Sequence, residues 1–245
     1  FPIGIMSLAT YLKKFLTTLD IKLMDFGIEY SSEEELIEII KNEKPDFIGF
    51  RAISANLRIL GPLLAEVRKF CPDSLIMVGG PYVSEKNTDE FVDTDADAFF
   101  IGEAEASLLE VLKRVLDKKD YSDVSGVTVN KKEHYVDGKP VFRFGRMDLI
   151  EFENLGFPSY NLVNTDEYYK SFNWGYSRNK YALMESTRGC PYSCTYCHVI
   201  FGKKTRYRTP ESVINEIKTM IKNQHITDLF FTDDIFDIDK NRAAD

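Results

Sequence analysis

Asp46-Phe47-Ile48-Gly49-Phe50, Leu75-Ile76-Met77-Val78-Gly79-Gly80-Pro81 and Ala98-Phe99-Phe100-Ile101-Gly102-Glu103 punctuate the first half of the chain. Each is a short apolar run that stops at small or charged residues, the pattern of a strand buried on both faces. Between the first two, Leu60, Leu63, Leu64 and Val67 share one helical face, and Gly61-Pro62 reads as the entry to that helix. After the third, Ser107-Leu108-Leu109-Glu110 reads as a capping box opening a helix through Leu116. Upstream, Ser32-Glu33-Glu34-Glu35 is another capping box, ahead of Leu36, Ile37, Ile39 and Ile40. Ile21-Lys22-Leu23-Met24 reads as a strand, and Ile5, Leu8, Ala9, Leu12 and Leu16 mark a helix over residues 5–16. Strands and helices thus alternate about every 25 residues, the rhythm of a parallel α/β sheet. Such sheets bind ligands beyond the carboxyl ends of their strands. Those ends read Asp25-Phe26-Gly27, Arg51-Ala52-Ile53-Ser54, Gly79-Gly80-Pro81 and Gly102-Glu103-Ala104-Glu105. Small residues there let a ligand approach the backbone; they also suit plain turns.

With 245 residues, the chain is long enough for one or two domains at roughly 150 residues each. Hydrophobic residues make up 44% and charged residues 29%, which places it among globular rather than disordered chains. Lys+Arg number 31 against 39 Asp+Glu, and the net charge of -8 lacks the broad basic footprint of a nucleic-acid binder. No apolar run reaches the roughly 18 residues of a membrane span, and no secretory signal is visible. The opening Phe1-Pro2-Ile3-Gly4 has no initiator Met, and residues 237–245 read like the start of a helix, so a piece of a longer protein is expected.

Beyond residue 122 the pattern changes. Val127-Thr128-Val129 and Val141-Phe142-Arg143-Phe144 flank Asp137-Gly138, a hairpin signal. Residues 148–180 have no clear period and read as a connector, in which Trp174, Phe172 and Tyr176 are expected to pack against a domain. Tyr181-Ala182-Leu183-Met184 is a strand leading into a cysteine-rich loop. Thr209-Pro210-Glu211 begins a helix with Val213, Ile214, Ile217, Met220 and Ile221 on one face, and Leu229-Phe230-Phe231 is the next strand.

Three of the four cysteines crowd into eight residues as Cys190-x3-Cys194-x2-Cys197; Cys71 stands apart and reads as a buried core thiol. Thiolates this close in sequence can converge on one centre, and soft sulfur ligands favour iron–sulfur clusters, zinc or cuprous copper. Structural zinc sites want four ligands, typically as two separated pairs. Three cysteines suit a 4Fe-4S cluster with one iron left open, whereas electron-transfer clusters carry four. A redox disulfide with a spare thiol, or zinc completed by a distant His, are the bland alternatives.

The run Ser186-Thr187-Arg188-Gly189-Cys190-Pro191-Tyr192-Ser193-Cys194-Thr195-Tyr196-Cys197, with the helix and strand that follow, resembles the radical S-adenosylmethionine (SAM) superfamily. The resemblance implies a (β/α) barrel with its cluster loop after the first strand. Cys190, Cys194 and Cys197 would ligate a 4Fe-4S cluster, and Tyr196 would lie near the adenine of SAM. The family's second strand often ends in Gly-Gly-Glu, which contacts the SAM amino group; here Thr232-Asp233-Asp234 stands there, making Asp233 and Asp234 the candidates. The N-terminal part resembles the cobalamin-binding domain that precedes many radical SAM domains. The matching features are Phe1-Pro2-Ile3-Gly4, the Ser32-to-Ile40 helix, Pro45-to-Gly49, Val78-Gly79-Gly80-Pro81, Gly102-Glu103-Ala104-Glu105 and the connector Glu151-to-Tyr160. It implies cobalamin contacts from Ser54, Gly79, Gly80, Gly102 and Glu103. The Asp-x-His-x-x-Gly loop of many such domains is missing: no His precedes His134.

The expected fold is therefore α/β: a Rossmann-like parallel-sheet cobalamin-binding domain over 1–122, its first strand missing, a hairpin and connector over 123–180, and the first part of a radical SAM (β/α) barrel over 181–245. The expected function is a cobalamin-dependent radical SAM enzyme. It would cleave SAM reductively and carry out radical methyl transfer or rearrangement on a small-molecule substrate, with an electron donor such as flavodoxin or ferredoxin, in the cytoplasm. The fragment alone is expected to be inactive. A radical SAM methylthiotransferase is the alternative, but it needs three further cysteines upstream, where only Cys71 occurs. A non-catalytic corrinoid or electron-transfer module would want a fourth cluster cysteine. Lys203, Lys204, Arg206 and Arg208 read as a solvated loop or as contacts to a carboxylate, His198 and His225 as surface residues. Glu103 and Glu105 either meet the corrin side chains or face water.

Overall fold

A computed structural model describes residues 1–84, 94–130, 135–136, 139–140, 149–171, 180–197 and 200–244. By contacts the chain divides into two compact units. One comprises Phe1–Ser31, Ile150–Thr195 and Phe201–Asp245; the other comprises Ser32–Leu149 and Tyr196–Ile200. The first opens with α1 (Ile3–Phe15).

In the second unit Ser32 caps α2 (Glu33–Glu43) as its sequence predicts, its Oγ accepting from the Glu35 N–H at 3.2 Å. Four strands follow: β1 (Phe47–Arg51), β2 (Leu75–Gly79), β3 (Ala98–Phe100) and β4 (Val127–Val129), in the order β1-β2-β3-β4. The first three are parallel, with Phe47 opposite Leu75 and Met77 opposite Ala98. β4 runs antiparallel to β3, with Phe100 opposite Val127. Ile76, Val78, Ala98, Phe99 and Val127 are fully buried, so the sheet is the core of this unit. α3 (Leu57–Phe70) makes the crossover from β1 to β2 and buries Leu60, Leu63, Leu64 and Val67. α4 (Pro81–Ser84) follows β2, and α5 (Glu105–Leu116) joins β3 to β4. The parallel α/β expectation holds.

Four local expectations are corrected. α3 starts at Leu57, after a 3-10 turn at Ser54–Asn56, so Pro62 lies inside the helix. The Asn56 side chain organises that start, accepting from the Ile53 N–H at 2.9 Å and donating to the Arg51 carbonyl at 2.8 Å. α5 starts at Glu105, so Ser107 is no cap: its Oγ turns back to the Ala104 carbonyl at 3.3 Å. Ile21-to-Met24 joins no strand; Leu23 is buried, and the nearby pairing is an isolated bridge between Phe26 and Tyr30. Val127-to-Val129 pairs with β3 rather than across the hairpin. β5 (Tyr135–Val136) and β6 (Lys139–Pro140) pair there instead. Asp137-Gly138, Val141-to-Phe144, His134, Phe172, Trp174, Tyr176 and His198 lie outside the described residues.

In the first unit, α6 (Thr165–Ser171) precedes β7 (Tyr181–Met184). β8 (Thr187–Arg188) and β9 (Arg206–Tyr207) form an antiparallel pair. Thr209 then caps α7 (Pro210–Gln224) through the Ser212 N–H at 3.2 Å, with Pro210 in the first turn. β10 (Asp228–Phe231) lies parallel to β7, Leu229 opposite Ala182, and α8 (Lys240–Ala244) ends the described chain. This strand–helix–strand unit is closed by a core of Met6, Ala9, Leu23, Tyr160, Ala182, Met184, Val213, Met220 and Ile226. Ile214 and Ile221 are about half exposed (46% and 51%), so the apolar stripe of α7 is wider than the face it buries. The Tyr160 hydroxyl donates to the Leu183 carbonyl (2.7 Å) and accepts the Leu183 N–H (3.0 Å), serving the edge of β7 in place of a strand.

At Gly80 (φ +108°) an added Cβ would stand 2.8 Å from the Ala52 carbonyl oxygen. Gly80→Ala is expected to destabilise the protein by about 1–3 kcal/mol, read as a lower urea midpoint. Gly61 sits in α3 with nothing within 4 Å of such a Cβ, so Gly61→Ala should stabilise the protein by about 0.5–1 kcal/mol, read as a higher urea midpoint.

Candidate functional site

The loop that carries the cysteines leaves the end of β7, and its root is held by the end of β10. Asp233 Oδ1 accepts the Ser186 N–H (2.5 Å) and the Thr187 N–H (2.9 Å), while Oδ2 accepts the Ser186 hydroxyl (2.5 Å). Asp234 Oδ2 accepts the Gly189 N–H at 3.0 Å. Thr187 Oγ1 donates to the Ile235 carbonyl, and the Thr232 N–H and hydroxyl both reach the Met184 carbonyl. Ser186 and Thr187 are buried, so these bonds satisfy groups that water does not reach. Both sequence-predicted carboxylates are thus at the site, with oxygens directed at the loop's own backbone.

Gly189 holds a left-handed backbone (φ +95°), and a Cβ there would stand 2.3 Å from the Lys204 carbonyl oxygen. The next N–H, that of Cys190, donates to the Gly202 carbonyl at 3.1 Å. Pairing of Thr187 with Tyr207 and of Arg188 with Arg206 closes the base of the excursion. None of the four cysteines forms a disulfide. Cys71 is buried, its Sγ 3.9 Å from the Ile40 carbonyl, as expected of a core thiol. Cys190 is half-buried, and Cys194 and Cys197 are exposed. Tyr196 is 90% exposed. Among the described residues no three His, Cys, Asp or Glu side chains are grouped so as to hold a metal ion. The donor chemistry nonetheless fits an iron–sulfur cluster: three soft thiols at close spacing, the first fixed on the scaffold and the others open to the surface.

The basic run divides. Lys203 and Lys204 are exposed, whereas Arg206 and Arg208 are buried, which corrects the solvated-loop reading for the latter two. Arg208 pairs with the buried Glu216 and donates to the Glu185 carbonyl (3.1 Å) and the Ser212 hydroxyl (3.0 Å). Burial pushes the Glu216 carboxyl above the ordinary carboxylate range, and Arg208 restrains that rise. Arg242 donates to the carbonyls of Arg208 (3.1 Å) and Ser186 (3.0 Å), tying α8 to the same root. His225 is an exposed left-handed residue ending α7.

In the sheet unit, the ends of β1, β2 and β3 form a second shelf. Ser84 joins two of them: its Oγ donates to the Gly80 carbonyl (3.0 Å) and accepts the Gly102 N–H (2.8 Å). The Ala52 N–H donates to Gly79 (2.7 Å) and the Ala52 carbonyl accepts the Tyr82 N–H. Gly80 is demanded by this packing of strand ends. Ser54 is exposed, Glu103 is half-buried, and Glu105 is buried rather than facing water. Ser84, Asn56 and Arg242 drew no attention in the sequence, because each acts through partners fixed only by the fold.

A B12 binding domain model matches residues 1–112, and a radical SAM superfamily model matches residues 184–245. An uncharacterized methyltransferase of Pyrococcus horikoshii is 24% identical over 100% of this chain and 51% of its own length. The cobalamin-dependent radical SAM methyltransferase TokK of Streptomyces tokunonensis is 29% identical over 80% of this chain and 28% of its own. The chain therefore spans about half or less of these relatives. The fold also resembles the radical SAM methyltransferase TsrM from Kitasatospora setae (TM-score 0.76, 17% identity, 99% of this chain and 46% of that one). A second likeness is the cobalamin-dependent SAM radical enzyme OxsB (TM-score 0.76, 18% identity, 96% and 32%). At these identities the structural likeness is one of fold.

Asp233→Ala strips three buried donors of their acceptor and is expected to cost about 2–4 kcal/mol by urea unfolding, with Asp233→Asn in between. Because the folded Glu216 carboxyl holds its proton above the ordinary 4.5, its contribution to stability is fully present below that pH. It is lost as pH rises through the raised range. Glu216→Gln should flatten this component of the stability–pH curve, measured as urea midpoints across that window.

Proposed function

We propose that this chain, which matches a B12 binding domain model over residues 1–112 and a radical SAM superfamily model over residues 184–245, is part of a cobalamin-dependent radical SAM enzyme that transfers a methyl group to, or rearranges, a small-molecule substrate. The observation that carries this reading is the Cys190-x3-Cys194-x2-Cys197 loop, rooted by Asp233 at the end of β7 in a parallel strand–helix–strand unit. Cys190, Cys194 and Cys197 would hold a 4Fe-4S cluster through three irons, leaving the fourth for SAM. When bound, the cluster supplies the electron that breaks a C–S bond of SAM, and cobalamin supplies a methyl carrier.

The chain's own residues have positional work. Gly189 and the Cys190–Gly202 hydrogen bond fix the first thiol. Tyr196, whose side chain is exposed, would lie near the adenine of SAM. Asp233 is committed to the loop, which leaves Asp234 Oδ1 as the acidic oxygen better placed for an amino group. In the segment 1–122, Ser54, Gly79, Gly80, Gly102 and Glu103 frame the strand-end shelf where a corrin would lie. No helix among the described residues is long and apolar enough to cross a membrane. A reduced cluster suits a cytoplasmic setting with flavodoxin or ferredoxin as electron donor.

Anaerobic reconstitution of the full-length protein with iron and sulfide should give a reduced-state EPR signal that changes on adding SAM, and corrin absorbance should persist after gel filtration with cobalamin. Cys190→Ala, Cys194→Ala and Cys197→Ala should each abolish the signal, and Cys71→Ala should leave it. A signal indifferent to SAM, or retained in the triple variant, overturns the assignment.

A further inference from the structure

We propose that Arg188 is a positioning residue whose guanidinium clasps the two legs of the cysteine loop together. The proposal rests on the reading of that loop as a cluster site, but its observations are separate. Arg188 lies two residues before Cys190 and its side chain is only 2% exposed. Its Nε and Nη2 donate to Glu185 Oε2 at 3.1 and 2.8 Å. The guanidinium carbon stands 4.9 Å from the ring centroid of Phe152 and 4.8 Å from that of Phe201. Phe201 belongs to the returning leg, next to Gly202, whose carbonyl accepts the Cys190 N–H. One cation therefore touches the outgoing leg by covalent continuity, the returning leg through Phe201, and the scaffold through Phe152 and Glu185.

The chemistry calls for arginine. A planar, weakly hydrated guanidinium can lie against aromatic rings while its edge donates to a carboxylate; an ammonium is compact and strongly hydrated. The two ring faces attract the desolvated guanidinium, and Glu185 supplies the counter-charge that burial requires. Filling space alone would need no cation here. What the cation adds is direction: it holds the returning leg, through Phe201, against Arg188, two residues before Cys190. A cluster bound by the loop would then find its first thiolate in place. With the clasp opened, Cys190 would be held by its backbone bond alone.

The test uses the full-length protein, purified without oxygen, in four forms. Phe201→Leu removes the ring contact on the returning leg, and Phe201→Tyr restores it. Arg188→Met combined with Glu185→Gln removes the cation without leaving a lone buried carboxylate, which would itself endanger folding. Hydrogen exchange of residues 189–205 is measured before metal is added, and loss of the reconstituted cluster to a chelator is followed by absorbance. Phe201→Leu and the double variant should lose the cluster roughly 10- to 100-fold faster than wild type, with faster exchange confined to 189–205, and Phe201→Tyr should match wild type. Unchanged cluster retention and exchange in Phe201→Leu and the double variant overturn the proposal. So does exchange that accelerates equally in α7 and β10, the mark of general loosening. If the wild-type protein takes up no cluster, the functional reading fails by itself, and the exchange comparison, which needs no metal, still decides the clasp.

Discussion

Everything distinctive in the first unit depends on one carboxylate. A parallel ladder stops at the ends of β7 and β10, and the Ser186 and Thr187 N–H groups just past that stop take their acceptor from a side chain. Asp233 meets this need from the neighbouring strand by accepting the Ser186 and Thr187 amides on one oxygen and the Ser186 hydroxyl on the other. Charge-assisted bonds of this kind are roughly twice as strong as neutral ones, and here they join residues nearly fifty positions apart (|i−j| of 46 and 47). The loop consequently starts from a fixed point. β8, the left-handed turn at Gly189 and the Cys190 amide all take their direction from it.

The two units solve the same problem with different chemistry. At the strand ends of the sheet unit, neutral groups suffice: Ser84 bridges β2 and the segment after β3, and Asn56 closes the turn after β1. The first unit instead buries charge, with Arg188 on Glu185 and Arg208 on Glu216. Buried ion pairs are poor sources of net stability, because desolvation offsets most of the attraction. Their use here is geometric. A guanidinium has several donors in a rigid fork, and Arg208 spends them on Glu216, the Glu185 carbonyl and Ser212 together, so β7, the start of α7 and its second turn are held in one arrangement. Rigid support for a reacting group is worth having even where it adds little to the free energy of folding.

The elements that were legible in the sequence are those whose signal is local. Residues 46–50, 75–78, 98–101, 181–184 and 229–231 each fall within one residue of an observed strand, because a short apolar run bounded by turn residues is a local signal. The Ser32 and Thr209 caps are likewise written within four residues. Failures occurred where the answer depends on distant partners. Apolar alternation at Ile21-to-Met24 reports that Leu23 is buried, not that its backbone finds a ladder. Ser107 has the composition of a cap but lies after the helix has begun. Arg206 and Arg208 look like part of a solvated run until Ile150 and Glu216 are seen to receive them. The cysteine spacing is a signal of the same local kind, since a single short loop can supply several soft ligands to one centre.

On the proposed function, that loop takes up a metal cluster. Its root is pinned at Asp233, Gly189 and the Cys190–Gly202 bond, while Cys194 and Cys197 stay exposed. Binding a cluster requires ordering chain, and each ordered residue costs about 1–2 kcal/mol in backbone entropy. With the root already fixed at Gly189 and Cys190, that cost does not include ordering the root itself. Metal affinity therefore need not be spent on building the site's foundation. A loop without such a root would have to order both legs at the moment of binding, and the left-handed turn at Gly189, pressed against the Lys204 carbonyl, is the place where such looseness is excluded.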